Sequence, residues 1–174
     1  MEFRELSRHE IADIYGTHMQ IDFPPAELKP LELLLRRYDE GIYFARGLFD
    51  EGQLLSYALF FRAEGYVLLD YFAVDAQLRG GGIGSRTLVY IGEMPELREA
   101  ALLLEAEDPD FAAGEADIEK RRHRLSFYAR AGVVDTGLRS RVFGVDYRVL
   151  SPSGVSAEEA RSGMAALYHA LLAA

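Results

Sequence analysis

The sequence contains no cysteine and no long apolar run, and it has few positively charged residues. The lack of cysteine excludes disulfide bonds, thiolate metal sites and a cysteine nucleophile. No stretch approaches the roughly 20 apolar residues of a membrane-spanning helix, so we expect no membrane partner. The first residues, MEFRELSRHE, are charged and lack the apolar core of a signal peptide, which predicts a cytoplasmic protein.

Negative charge dominates the composition. The chain has 19 Lys and Arg residues against 28 Asp and Glu residues, a formal net charge of −9. Phosphate backbones repel such a chain, so we expect no nucleic-acid partner. The same field favours encounters with cations such as amines. No spacing of histidines and carboxylates is typical of a metal site, so no metal is predicted.

The 174 residues have an ordinary globular composition, with 49% hydrophobic and 27% charged residues. This length predicts a single domain covering residues 1–174, without repeats or linkers. The order of predicted elements is strand, two helices, three strands, helix, strand, helix, strand, helix, which indicates a mixed α/β (α+β) domain. The sequence is compatible with a homodimer and does not determine the oligomeric state.

Apolar periodicity and turn residues predict where these elements lie. Ser7 with Glu10, and Ser156 with Glu159, have the spacing of capping boxes at helix starts. Pro30 predicts a break or a late start in the second helix. The predicted strands are Phe3 to Leu6, Gly41 to Phe49, Leu54 to Arg62, Tyr66 to Val74, Ala100 to Ala106 and Phe143 to Leu150. The first predicted helix begins after Ser7. The others cover Ala26 to Tyr38, Gly84 to Ile91, Asp117 to Ala131 and residues 156 to about 173.

A glycine cluster between a predicted strand and a predicted helix carries the clearest chemistry. It runs from Arg79 to Ser85 with the sequence RGGGIGS. Glycines let backbone N–H groups turn toward a ligand, because no Cβ stands in the way. The helix that follows adds its unsatisfied N–H groups and the positive end of its dipole. This arrangement suits a phosphate or a pyrophosphate.

Three phosphate-binding patterns compete for this cluster. A Walker A loop requires Lys and then Ser or Thr after its last glycine, but Gly84 is followed by Ser85 and Arg86. A dinucleotide fingerprint requires a third glycine where Ser85 or Thr87 stands. The pattern Arg/Gln-x-x-Gly-x-Gly/Ala is satisfied from Arg79 to Gly84. A flexible glycine-rich turn without a ligand remains the alternative.

The stretch from Leu68 to Ser85 resembles the acetyl-CoA-binding motif of the GNAT family of N-acetyltransferases, although its link lacks the usual proline. A second stretch, Phe127 to Val133, is similar to the family's Tyr-x-x-x-Gly-Phe segment, with Val133 in place of Phe. Many members carry an asparagine seven residues before that tyrosine, where this chain has Arg121. The two motifs and the element order cover the chain to about Leu150.

The resemblance implies a central mixed, mostly antiparallel sheet flanked by helices, with an extra C-terminal helix as an appendage. It implies an acetyl-CoA-dependent N-acyltransferase, in which a primary amine attacks directly within a ternary complex. Acetyl-CoA would be the co-substrate, and the acceptor a small-molecule or peptide amine. The implied coenzyme contacts are Phe72, Ala73 and Val74 along the pantetheine arm, Arg79, Gly80, Gly81, Gly82, Ile83, Gly84 and Ser85 at the pyrophosphate, and Tyr128 near the sulfur.

The reaction requires a group that protonates the leaving thiolate and a group that accepts the amine's proton. The resemblance implies Tyr128 as the acid; the alternative is a core tyrosine. Glu105 and Asp70 are the first candidates for the base, with Glu107 on the same strand face as Glu105. The alternatives are an ion pair with an arginine for Asp70, and solvated charges for the two glutamates.

A basic run beside Tyr128 comprises Lys120, Arg121, Arg122 and Arg124, with His123 inside it. It would contact the coenzyme's phosphates, pair with the acidic loop Asp110 to Ala116 that precedes it, or form a solvated helix face. His123 would be a surface residue or an acceptor-site base. Two other functions also stay open, namely a non-catalytic coenzyme-binding or regulatory domain and a nucleotide-binding module.

Overall fold

All seven strands belong to one sheet in the computed structural model, which describes all 174 residues. The strands are β1 Glu2–Glu5, β2 Tyr43–Asp50, β3 Gln53–Ala63, β4 Tyr66–Val74, β5 Ala101–Glu107, β6 Val134–Val142 and β7 Val145–Ser151. The main helices are α1 Arg8–Ile14, α2 Leu31–Asp39, α3 Ile83–Gly92, α4 Glu115–Arg130 and α5 Ala157–Leu172. A π-helical segment, Tyr15–Met19, and a short helical turn, Gln20–Asp22, continue α1.

The strand order across the sheet is β1-β2-β3-β4-β5-β7-β6. The β4–β5 pair is parallel, and every other neighbouring pair is antiparallel. The helix α3 forms the crossover that a parallel pair requires. The predicted mixed, mostly antiparallel sheet with flanking helices and a C-terminal helix is therefore confirmed.

The last hairpin departs from the sequence prediction. Strand β6 was not predicted, and the predicted strand Phe143 to Leu150 begins too early. Phe143 and Gly144 instead form the turn between β6 and β7, with φ angles of 49° and 82°. Strand β6 lies at the sheet edge, and Leu138 is its only buried residue. Its charged sequence therefore lacks the apolar alternation that marks a strand with one buried face.

The helix starts follow local sequence rules. Both predicted capping boxes are confirmed, because the Ser7 and Ser156 hydroxyls accept the backbone N–H groups of Glu10 and Glu159. The second predicted helix divides at Pro30. A single 3₁₀ turn covers Pro25–Glu27, and α2 begins at Leu31, so the late start is correct.

Apolar clusters cover both faces of the sheet. One cluster packs α1, α2 and α5 on one face, and the other packs α3 and α4 on the opposite face. The sequence suggested that the C-terminal helix was an appendage, but α5 lies in the first cluster, where Leu167 and Leu171 are fully buried. The main chain of Gly163 approaches the Tyr66 ring so closely that an added Cβ would lie 2.6 Å from it.

None of the helices combines the length and the apolar content that crossing a bilayer requires.

Candidate functional site

The two parallel strands at the centre of the sheet separate halfway along their length. They are paired only from Tyr66–Leu69 on β4 and Ala101–Leu104 on β5. Asp70 then forms a bulge, because Leu69 and Tyr71 pair with consecutive residues of β3 and leave it without a partner. Beyond Asp70, the side of β4 that faces β5 has no neighbouring strand. The backbone of residues 72–74 therefore borders an open gap.

The glycine turn lies beyond this gap, at the start of α3. Gly80 and Gly82 have φ angles of 83° and 82°, which side chains disfavour, and Gly82 is the N-cap of α3. No side chain caps the helix, so its first N–H groups remain available to a ligand. Gly84 allows the helix to approach α4, since an added Cβ would lie 3.2 Å from the Phe127 ring.

A groove of about 560 Å³ runs from the gap past the glycine turn. We call it the long groove. All the predicted coenzyme residues except Gly81 and Ile83 line it. Its basic lining residues are Arg79, Lys120, His123, Arg124 and Arg130. Part of the basic run on α4 therefore faces the groove, and His123 lies there as well.

Two arginines near the long groove are engaged with protein groups. The guanidinium of Arg79 donates to the Val74 carbonyl at 3.1 Å and to Asp22 at 2.8 Å, so it helps to hold the turn against β4. Arg121 stands at the position where the sequence resemblance implies an asparagine, and its side chain points away from the groove. Its guanidinium pairs with Glu107 at 2.8 Å and with Asp117 at 3.1 Å, and it does not line the groove.

A smaller cavity of about 90 Å³ lies in the gap itself. We call it the inner pocket. Four of its lining residues are carboxylates, namely Glu27, Asp70, Glu105 and Glu107. Two cations, Lys29 and Arg124, line it as well. The carboxylates come from three elements that meet only in the fold: the 3₁₀ turn Pro25–Glu27, strand β4 and strand β5.

Tyr128 lines both the long groove and the inner pocket. Its ring contacts that of Phe127 at a centroid distance of 5.3 Å, and only 8% of the residue is exposed. Burial raises the pKa of Tyr128 to about 12, and no hydrogen bond within the chain contributes to that shift. The hydroxyl therefore keeps its proton at neutral pH and remains free to donate it.

Asp70 is buried in an ion pair, as one alternative predicted, but its partner is a lysine. The Lys29 ammonium lies 2.6 Å from Asp70 Oδ1, and the Tyr43 hydroxyl donates to Oδ2 at 2.6 Å. The Lys29 and Asp70 side chains are 8% and 3% exposed. Burial, followed by repulsion from Asp70, holds the pKa of Tyr43 well above its usual value. Both carboxylate oxygens of Asp70 are therefore occupied.

Glu105 is also held by partners at both oxygens. The Tyr168 hydroxyl of α5 donates to Oε1 at 2.5 Å, and Ser140 of β6 donates to Oε2 at 3.0 Å. Burial raises the pKa of Glu105, against the lowering effect of the Tyr168 hydrogen bond and of Lys29. The C-terminal helix thus contributes a side chain to the site.

Glu107 lies on the same strand face as Glu105, as predicted, but it is not a solvated charge. Its carboxylate pairs with Arg121 at 2.8 Å and with Arg124 at 3.5 Å, and its side chain is 15% exposed. Glu27, for which the sequence predicts no role, lies beside it. Burial and then repulsion from Glu107 raise the pKa of Glu27 to about 7. Nothing in the local sequence distinguishes Glu27 from other acidic residues.

No family model and no curated protein matches the sequence. Solved structures do match the fold. A Bacteroides thetaiotaomicron protein described as a GNAT-family acetyltransferase superimposes with a TM-score of 0.74 at 22% identity, covering 97% of this chain and 96% of its own. An aminoglycoside 6'-N-acetyltransferase complexed with coenzyme A superimposes with a TM-score of 0.60 at 15% identity, covering 87% of this chain and 96% of its own. The ribosomal-protein-alanine N-acetyltransferase of Brucella melitensis superimposes with a TM-score of 0.57 at 22% identity, covering 87% of this chain and 98% of its own. The chain therefore has the GNAT fold.

Proposed function

We propose that this protein is an acetyl-CoA-dependent N-acetyltransferase that transfers the acetyl group to a primary amine by direct attack. The position of Tyr128 carries the proposal, because its side chain forms part of the wall between a groove suited to the coenzyme and an acidic pocket suited to an amine. The chain has no cysteine to form an acyl-enzyme thioester, which supports direct transfer within a ternary complex.

The long groove has the donors that the coenzyme requires. The free N–H groups at the start of α3 suit a pyrophosphate, and Lys120 and Arg130 add positive charge to the groove wall. The unpaired edge of β4 at residues 72–74 offers backbone hydrogen bonds to an extended pantetheine arm. The coenzyme supplies the thioester whose acetyl group is transferred.

The inner pocket has the charge that an alkylammonium acceptor requires. Its four carboxylates outnumber its two cations, so the pocket attracts a positive group. The aromatic rings of Phe23 and Phe72 lie in the wall that it shares with the long groove. We assign Asp70 and Glu105 a positioning role in this wall, because donors already occupy their oxygens.

Tyr128 acts as the acid in this proposal. Its hydroxyl is protonated at neutral pH and donates to the sulfur as negative charge develops there. After attack, the acceptor nitrogen carries a positive charge and two protons, and it becomes strongly acidic. One of these protons replaces the one that Tyr128 donates, and the other stays in the amide.

Two glycine variants test coenzyme binding at the turn. Gly82 and Gly41 both have positive φ angles, 82° and 74°, and both have open space where a Cβ would be. Alanine strains the backbone equally at the two positions, but only Gly82 borders the long groove. We expect Gly82→Ala to weaken acetyl-CoA binding about tenfold in calorimetry, which corresponds to about 1.4 kcal/mol.

Gly41→Ala is the matched control, and its coenzyme affinity should equal that of the wild type. If millimolar acetyl-CoA neither binds nor stabilises the wild-type protein, the proposed function is wrong. If ATP or NAD binds in preference, the site is a nucleotide-binding module. If acetyl-CoA binds but no amine from a broad panel is acetylated, the domain is non-catalytic.

A further inference from the structure

Only one carboxylate of the inner pocket lacks a partner that neutralises it. Asp70, Glu105 and Glu107 each accept hydrogen bonds or ion pairs from nearby side chains. Glu27 lines the same cavity, and no lysine, arginine or hydroxyl group of the chain pairs with its carboxylate. Its neighbour is another carboxyl group, Glu107, so Glu27 is the carboxylate of the pocket that can take up a proton without losing a cationic or hydroxyl partner.

The backbone of Glu27 is fixed in place, although no cation or hydroxyl group holds its side chain. The residue ends the 3₁₀ turn Pro25–Glu27, and its carbonyl oxygen accepts the Tyr71 hydroxyl at 2.7 Å. That same hydroxyl accepts the backbone N–H of Lys29 at 2.9 Å. Because Tyr71 belongs to β4 beside the bulge, this contact ties the turn that carries Glu27 to the edge of the gap.

Burial and charged groups on β5 and α4 set the proton affinity of Glu27. Burial raises its pKa to about 7, with Glu107 as the next cause, and the two carboxyl groups lie within hydrogen-bonding reach of each other. Arg124 and Lys120 on α4 act in the opposite direction. The other titratable groups facing the pocket are Lys29, Asp70, Tyr71, Glu105, Tyr128, Tyr147 and Tyr168.

On the basis of the function proposed above, we propose that Glu27 is the general base that accepts the first proton of the acceptor's ammonium group. Glu107, already held by Arg121 and Arg124, is the neighbour that shares this proton.

Each proton has a defined destination in this sequence of steps. The ammonium nitrogen gives one proton to a Glu27 oxygen, and its lone pair then forms a bond to the acetyl carbonyl carbon. The carbon–sulfur bond breaks, and the sulfur leaves with the proton of Tyr128. A second nitrogen proton passes to the Tyr128 oxygen and restores the hydroxyl, and Glu27 releases its proton to water. The products are an amide, a free thiol and one proton.

The pH dependence of kcat/KM tests this role. The wild-type rate should fall as the pH drops through about 7, because Glu27 must be deprotonated to accept a proton. We expect Glu27→Gln to lower kcat/KM on the order of 100-fold at pH 8 and to remove this inflection. The remaining rate should then rise with pH toward the pKa of the free amine, about 10.4. The assay uses as its acceptor whichever of four amines is acetylated fastest: butylamine, 1,4-diaminobutane, an alanyl peptide or kanamycin.

Glu32→Gln is the matched control, because Glu32 is an exposed glutamate only five residues away, on α2 and outside the pocket. Its pH profile should equal that of the wild type. A second measurement needs no coenzyme: carboxyl ¹³C NMR should show Glu27 titrating near pH 7 in the wild type and at lower pH in Glu107→Gln.

The outcomes separate the two proposals. If no amine in the panel is acetylated, the proposed function fails. If the wild type is active and Glu27→Gln keeps the wild-type rate and inflection, Glu27 is not the base. If Glu105→Gln alone removes the inflection, Glu105 has that role, and if Glu27 titrates near pH 4.5 the proposal is likewise overturned.

Discussion

Tyr128 is the residue at which groove and pocket meet, and its hydroxyl can be removed without changing the packing. We predict that Tyr128→Phe lowers kcat on the order of 100-fold, because the leaving sulfur loses its proton donor. The phenyl ring still fills the wall, so the coenzyme Kd should stay within about twofold. Steady-state kinetics and calorimetry measure the two effects.

The same variant contains an internal control. The Tyr128 hydroxyl makes no hydrogen bond that stabilises the folded chain, so its removal should leave the urea unfolding midpoint unchanged or slightly raised. A loss of kcat with intact stability supports the role as acid. Unchanged turnover would exclude Tyr128 from the reaction and return it to the alternative of a core tyrosine.

Individual residues show where prediction from sequence stops. The cost of burying a lone charge predicted that Asp70 needs a partner, and the structure confirms that it has one. The partner itself, Lys29, lies 41 residues earlier in the chain. No local pattern links residues so far apart, and only the packing of the α1–α2 connection against β4 brings them together. Glu27 escaped prediction for the same reason.

Among the elements, α5 depends on a glycine in its interior. We predict that Gly163→Ala lowers the free energy of unfolding by about 1–3 kcal/mol, because the added Cβ would overlap the Tyr66 ring at 2.6 Å. Either the ring or the helix must shift, since that face of α5 packs against the sheet. Urea denaturation measures the change.

Gly92→Ala provides the comparison. Gly92 also lies in a helix, at the end of α3, but nothing approaches its Cβ position within 4 Å. Alanine there should be neutral or slightly stabilising, since it favours the helix more than glycine does. Equal effects of the two substitutions would contradict the close packing of α5 on Tyr66.

The elements that the sequence predicted well are those with strong local patterns. The capping boxes at Ser7 and Ser156 depend on residues three apart, so sequence alone locates them. Strand β6 has no such pattern, because it is an edge strand whose charged residues face solvent. The bulge at Asp70 is likewise invisible in the sequence of β4, because it is defined by the register with β3.

On the scale of the whole molecule, α5 connects the core to the site. Leu167 is fully buried between α5 and the sheet, and Tyr168 beside it donates to Glu105. We predict that Leu167→Ala costs about 2–5 kcal/mol of unfolding free energy, through lost burial and the cavity left behind. Chemical denaturation gives the value directly.

Leu172→Ala is the matched control on the same helix, because Leu172 is 51% exposed. Its effect should stay within about 0.5 kcal/mol. If Leu167→Ala costs no more than Leu172→Ala and both losses are small, α5 is the appendage that the sequence first suggested.

The distribution of charge also belongs to the whole molecule. The chain carries a net charge of −9, yet Lys120, His123, Arg124 and Arg130 converge on the long groove. The carboxyl groups of the inner pocket lie next to this groove. The excess of acidic residues therefore says little about either site, because each site depends on which side chains the fold brings to it.

The sequence alone determined the class of the fold, the glycine turn and the tyrosine that follows it, because helix periodicity, capping and turn chemistry act between residues close in the chain. Only the tertiary structure decided which carboxylates are occupied and which one is free. Those answers depend on pairs separated by tens of residues, such as Lys29 with Asp70 and Tyr168 with Glu105. They also depend on burial, which raises the pKa of a carboxyl group only after the whole chain has packed around it.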